Sequence, residues 1–127
     1  MANEEYLLRI AEFQQEAEKI NGQINLVNNQ ILELESLALS IEKLDEGQEE
    51  ILASLGKGIF VKSKPLEKEL FVNIGCNVVL KKTAKETIEI INRQVLQLEN
   101  LKTSLEERIE SLDMQFQELV KEARKAG

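Results

Sequence analysis

At 127 residues, 4% of them aromatic, the chain has the length of one structural unit but lacks the rings that usually fill a thick globular core. With no histidine and with Cys76 as its single cysteine, it can make neither an internal disulfide nor a zinc-type ligand set, and imidazole-dependent catalysis is excluded with them. The formal net charge of −7 is uneven: residues 1–45 hold nine acids and three bases, residues 46–83 five and six, and residues 84–127 nine and seven. Neither end therefore offers the basic face that a phosphate backbone requires, and nucleic acid is not an expected partner.

The chain opens with Asn3, Glu4 and Glu5, where a signal peptide would be basic. No apolar run approaches the ~20 residues that cross a bilayer. The expectation is a cytoplasmic protein with no membrane partner. Asn3 is a suitable N-cap for a helix over about residues 3–46, with Glu4 and Glu5 well placed against its dipole. Along it Tyr6, Ile10, Phe13, Ala17, Ile20, Ile24, Val27, Ile31, Leu34, Ala38, Ile41 and Asp45 recur in steps alternating four and three, the spacing of a coiled-coil seam. About 40 residues at 1.5 Å per residue give an arm of roughly 60 Å. Gly22 lies off the seam and weakens the helix by about 1 kcal/mol relative to Ala.

The middle of the chain, about residues 50–82, changes period. Ile51–Leu55 and Ile59–Lys62 are separated by Gly56, Lys57 and Gly58; Leu70–Ile74 and Val78–Leu80 are separated by Gly75, Cys76 and Asn77. Both read as β-hairpins with turns that demand positive φ, and Lys64 and Pro65 lie in the linker between them. A second helix is expected over about residues 83–126, opened by a capping box between Thr83 and Glu86. Its seam, read backwards, is Ala123, Leu119, Phe116, Leu112, Ile109, Leu105, Lys102, Leu98, Val95, Ile91, Ile88 and Ala84.

Taken in this order, each pair from the two seams has residue numbers totalling 129, as two antiparallel helices joined at residues 46–83 require. The fold class is α+β, mainly α: a long antiparallel intramolecular coiled coil with two hairpins between its helices, all of residues 1–127 forming one unit. Isolated two-stranded hairpins are marginal in water and leave strand edges unpaired. Leu52, Leu55, Ile59, Phe60, Val61, Leu70, Phe71, Val72, Ile74, Val78, Val79 and Leu80 are therefore expected to join strands of other subunits.

Both termini meet at the far end of the arm, where Tyr6, Leu7, Leu8, Ile10, Phe13, Phe116, Leu119, Val120 and Ala123 form an apolar tip. Leu7, Leu8 and Val120 lie off the seam and should be at least partly exposed, as a binding patch for other proteins or as frayed ends. Off-seam apolar residues return near the hairpins as Leu32, Leu37, Leu39, Leu44, Ile90 and Leu96, so that apolar surface is expected at the two ends of the arm. Lys102 is the one charged seam residue within it; either it discourages wrong registers, or its stem covers the seam while its ammonium reaches toward Glu99 or Glu106. Cys76 could be a redox sensor, but with no activating base beside it in sequence it reads rather as a small apolar turn residue. The glutamates on solvated faces are expected to keep ordinary pKa values. Gly56-Lys57-Gly58 is too short for a phosphate loop. No enzyme activity, cofactor or metal is expected.

This order of elements resembles the α-class subunit of prefoldin, an ATP-independent chaperone of archaea and eukaryotes. The resemblance is sharpest over Leu52-Ala53-Ser54-Leu55-Gly56-Lys57-Gly58-Ile59-Phe60-Val61 and Val72-Asn73-Ile74-Gly75-Cys76-Asn77-Val78-Val79-Leu80-Lys81-Lys82. Ser54 stands where the family often has Pro, and Cys76-Asn77 where it often has Ala-Gly; two hairpins favour the α class over the single-hairpin β class. The resemblance implies a hexamer of two α and four β subunits, with contact to another α subunit, a β-barrel body and coiled-coil tentacles. It implies that the tips hold unfolded client proteins and pass them to a group II chaperonin. A structural tether, or a self-assembling filament of this chain, are the other readings.

Overall fold

The computed structural model describes residues 2–47 and 50–126, with Ala2, Asn3 and Ala126 described by backbone alone. The elements are α1 (Ala2–Asp45), β1 (Ile51–Gly56), β2 (Ile59–Ser63), β3 (Leu70–Gly75), β4 (Val78–Lys82) and α2 (Ala84–Ala126), the expected order of helix, hairpin, hairpin and helix. Asn3 already lies within α1, so it does not stand at the cap position; its side chain is outside the described residues. The contacts divide into two compact units, one of Met1–Leu32 with Leu96–Gly127, the other Glu33–Val95.

In the first unit the two helical segments pack through the alternating seam. Ile20, Val27, Ile31, Leu105 and Leu119 are buried, Ile20 at 1% exposure. The other seam residues, from Tyr6 to Ile24 and from Leu98 to Ala123, are half-buried. Phe13 meets Phe116 edge to face, with ring centroids 6.5 Å apart, and Ala17 and Leu112 line one hollow. These are partners whose numbers total 129, so the chain adopts the register that the spacing predicts. On one flank, Arg108 reaches Glu16 at 3.2 Å. Gly22 is exposed, and α1 passes through it unbroken.

In the second unit Ile41, Ala84 and Ile91 form a buried cluster, with Leu34, Ala38, Ile88, Val95 and the β3 residue Leu70 packed against it. Asp45, the polar end of the first seam, is exposed. α1 stops where Gly47 takes a φ of 102° and its N–H donates to the Leu44 carbonyl, glycine being the residue that enters this conformation without a Cβ clash. α2 begins at the expected capping box. The Thr83 N–H and hydroxyl donate to Glu86 Oε1 at 3.1 and 3.0 Å, and the Glu86 N–H donates to Thr83 Oγ1 at 3.1 Å. Buried Thr87 donates its hydroxyl to the Thr83 carbonyl at 2.8 Å.

The expectation of ordinary glutamate pKa values fails at Glu86. The backbone and hydroxyl of Thr83, and then Lys82, hold its carboxyl below the usual value of 4.5. Its folded pKa being depressed, the cap's contribution is present above the ordinary carboxylate range and is lost as pH falls through the lowered value. Thr83→Ala is expected to cost about 1 kcal/mol and to return the Glu86 titration upward. An NMR pH titration of the Glu86 side chain, with urea denaturation beside it, checks both; an unmoved titration midpoint in the variant would exclude the cap as the cause.

The two hairpins are repeats of one design, the second lying nineteen residues after the first. β1 pairs with β2 from Ile51 opposite Ser63, and β3 with β4 from Leu70 opposite Lys82, each with a shift just before the turn. In each, the N–H of the glycine that ends the first strand is taken by a side chain two residues back: Gly56 donates to Ser54 Oγ, Gly75 to Asn73 Oδ1. The two residues at each turn have positive φ, 53° and 78° at Lys57 and Gly58, 51° and 61° at Cys76 and Asn77. This is the requirement of a type I′ turn, for which Asn-Gly is the favoured pair. Cys76→Asn with Asn77→Gly is accordingly expected to stabilise the protein by about 1 kcal/mol, read as a higher urea midpoint at fixed protein concentration. No gain would show that strain at these two residues is relieved elsewhere.

Candidate functional site

The tip lies in the first unit. Leu7 and Leu8 are each 66% exposed, and Val120 is half-buried. Leu7 and Val120 each follow a seam residue directly, which places them on the same flank of an antiparallel pair. Beneath them Tyr6, Ile10, Phe13, Phe116 and Ala123 are half-buried, and Leu119 is buried. The tip thus presents two leucines, each two-thirds exposed, beside half-buried and buried seam residues that include the Phe13–Phe116 pair.

Apolar exposure is not confined to the ends of the arm, contrary to expectation. Leu26, Leu101 and Met114 are exposed as well. Leu26 and Leu101 each sit one residue before a seam position, Val27 and Lys102. Leu26, off the seam and apolar, is visible as such in the sequence itself. Lys102 is half-buried, as a seam lysine with its stem laid down would be. Among the described residues it joins neither Glu99 nor Glu106; the ion pairs are Lys81–Glu67, Lys82–Glu86 and Arg108–Glu16.

The hairpins of the second unit present the other apolar surface. Leu52, Leu55, Ile59, Phe60, Val61, Phe71, Ile74, Val78, Val79 and Leu80 are all exposed, whereas Leu70 and Val72 are half-buried because they turn toward the helices. Each hairpin is a two-stranded sheet by itself, so its outer strand edges have no partner among the described residues. A groove of about 770 Å³ opens between hairpins and helices, its walls including Leu37, Leu44, Ile90, Leu52, Leu70 and Phe71. Of the off-seam residues expected near the hairpins, Leu37, Leu44 and Ile90 line this groove; Leu32, Leu39 and Leu96 do not.

The linker is held to the second hairpin by Glu67, whose carboxylate lies 2.6 Å from Lys81 Nζ. That hydrogen bond pushes the Lys81 pKa up, and the same ammonium stands 5.8 Å from the centre of the Phe71 ring. Cys76 is exposed at the turn. Among the described residues no acid or cysteine cluster is arranged to hold a metal, and no helix is long and apolar enough to cross a membrane.

The family described as "Prefoldin subunit" matches residues 13–127. Prefoldin subunit alpha of Methanoregula boonei is 30% identical over 88% of this chain and 74% of its own length. That of Thermofilum pendens is 30% identical over 68% and 70%. The chain is also similar to a solved structure of filamentous prefoldin from Methanocaldococcus jannaschii, with a TM-score of 0.78 at 19% identity, covering 89% of this chain and 96% of that one.

Proposed function

The chain belongs to the prefoldin family, in its α class, and on that premise we propose that it holds unfolded proteins at its tip, without nucleotide, and delivers them to a group II chaperonin. Prefoldin subunits are non-enzymatic chaperones that assemble with other prefoldin subunits. The observation that carries the tip assignment is the pair of leucines, Leu7 and Leu8, left two-thirds exposed over an apolar layer. Such a patch gives non-native chains an adaptable apolar surface, and the acidic surroundings keep the loaded complex in solution.

The chain works in this reading as one unit. The twelve hairpin residues complete a β-barrel with β-class subunits and another α subunit in an α2β4 hexamer, and the protein acts in the cytoplasm. A second reading is favoured by the repeated hairpins with their open edges: copies of this chain pairing with one another into a filament. Native mass spectrometry of the protein from its own cells separates the two, since only the first contains a smaller partner.

The tip is tested by Leu7→Ser, Leu8→Ser and Val120→Ser together. The expected result is an unchanged native mass with suppression of client aggregation reduced about tenfold or more, since each of these apolar side chains, once covered by a client, contributes about 1 kcal/mol or more. Full suppression by the intact assembly would remove the tip from client holding.

A further inference from the structure

The two flanks of the first unit differ in charge along its length. The flank of Leu7 and Val120 carries Glu4, Glu18, Glu99, Glu106, Glu110 and Asp113 but a single base, Arg124. On the opposite flank Arg9, Lys19, Arg108 and Lys125 stand among the glutamates, and Arg108 is bound to Glu16. Both flanks have a hollow beside Phe13. On the mixed side it measures about 320 Å³ and is bordered by Arg9, Glu12 and Glu16. On the acidic side it is larger, about 410 Å³, because small Ala17 faces Leu112 and leaves space beside the Phe13 and Phe116 rings. Its floor is apolar; its charged rim is Glu110 and Asp113, with the amides of Gln14 and Asn21 completing it. Gln117 Nε2 donates to Asp113 at 3.4 Å, which leaves the carboxylate charge in place.

The geometry points to a client preference built into this flank: the hollow takes an apolar side chain of an unfolded segment whose neighbours are Lys or Arg. The apolar side chain displaces water from the rings of Phe13 and Phe116. The flanking cations meet Glu110 and Asp113, in the field of nearby Glu18 and Glu106 on the same side. A segment with acidic neighbours meets the same apolar floor but is repelled by the Glu110 and Asp113 rim. This inference rests on the client-holding reading of the tip and adds its selectivity.

The test uses the full-length chain in its purified assembly and two unstructured fluorescent peptides with the same leucine and phenylalanine positions, flanked by lysine in one and by glutamate in the other. Anisotropy titrations at low salt are expected to show the lysine peptide binding about fivefold to tenfold more tightly, as two exposed ion pairs allow. The difference should shrink as salt is raised. Glu110→Gln with Asp113→Asn, both near-isosteric on exposed positions, should reduce that difference to about twofold or less. Equal binding of the two peptides, or a preference untouched by the double variant, overturns this inference while leaving the tip as a client site. Binding of neither peptide overturns both.

Discussion

A chain carrying Phe60→Asp and Val79→Asp is expected to sediment as a monomer with its helices intact. Phe60 and Val79 occupy the same place in the two repeated hairpins, the second residue of β2 and of β4, and they lie opposite Ser54 and Asn73. Both are exposed, on the hairpin faces turned away from those bearing Ile51 and Leu70. A face of this kind is stable only when another surface covers it. Covering each residue contributes about 2 kcal/mol, near thirtyfold in association, and a carboxylate in its place adds a desolvation cost. The two substitutions together should weaken assembly by about a thousandfold or more, each single variant by roughly the square root of that. Sedimentation velocity over a range of concentrations measures the loss, and circular dichroism verifies the helices. Oligomers of wild-type size in the double variant would take these faces out of the interface.

The seam was legible because its period is imposed by geometry: one apolar residue per alternating step of three and four buries a stripe whatever lies outside it. Phe13 against Phe116 and Ile41 beside Ile88 follow from that spacing alone. The turns were legible for a related reason, since Gly56, Gly58 and Gly75 announce a backbone that most residues avoid. What escaped was set by distance in space. The Glu67–Lys81 ion pair joins a linker to a strand, Arg108–Glu16 joins segments far apart in sequence, and the hollow beside Ala17 exists because of what stands across from it. The packing of Leu70 into the Ile41 cluster was hidden too, because alternation in a strand says that one face is covered without saying by what. The charge difference between flanks could have been read from the sequence once the seam had been assigned, by sorting the remaining residues into sides.

Ile20→Ala is expected to destabilise the protein by about 3 kcal/mol, while Leu26→Ala changes stability by less than about 0.5 kcal/mol. The two residues are less than two turns apart on the same helix, and both are large and aliphatic, so helix propensity does not separate them. Burial does: Ile20 is 1% exposed and Leu26 is 64% exposed. Removing the Ile20 side chain strips apolar packing from the opposite seam and leaves a cavity that neighbouring side chains, half-buried on a two-helix interface, fill only in part. Urea denaturation followed by circular dichroism, at one protein concentration so that assembly contributes equally, gives both values. Equal losses at the two positions would mean that α1 is covered on a second side in the assembled protein, with Leu26 inside that interface. The unequal result would place the stability of this unit in the seam and leave Leu26 free for a partner.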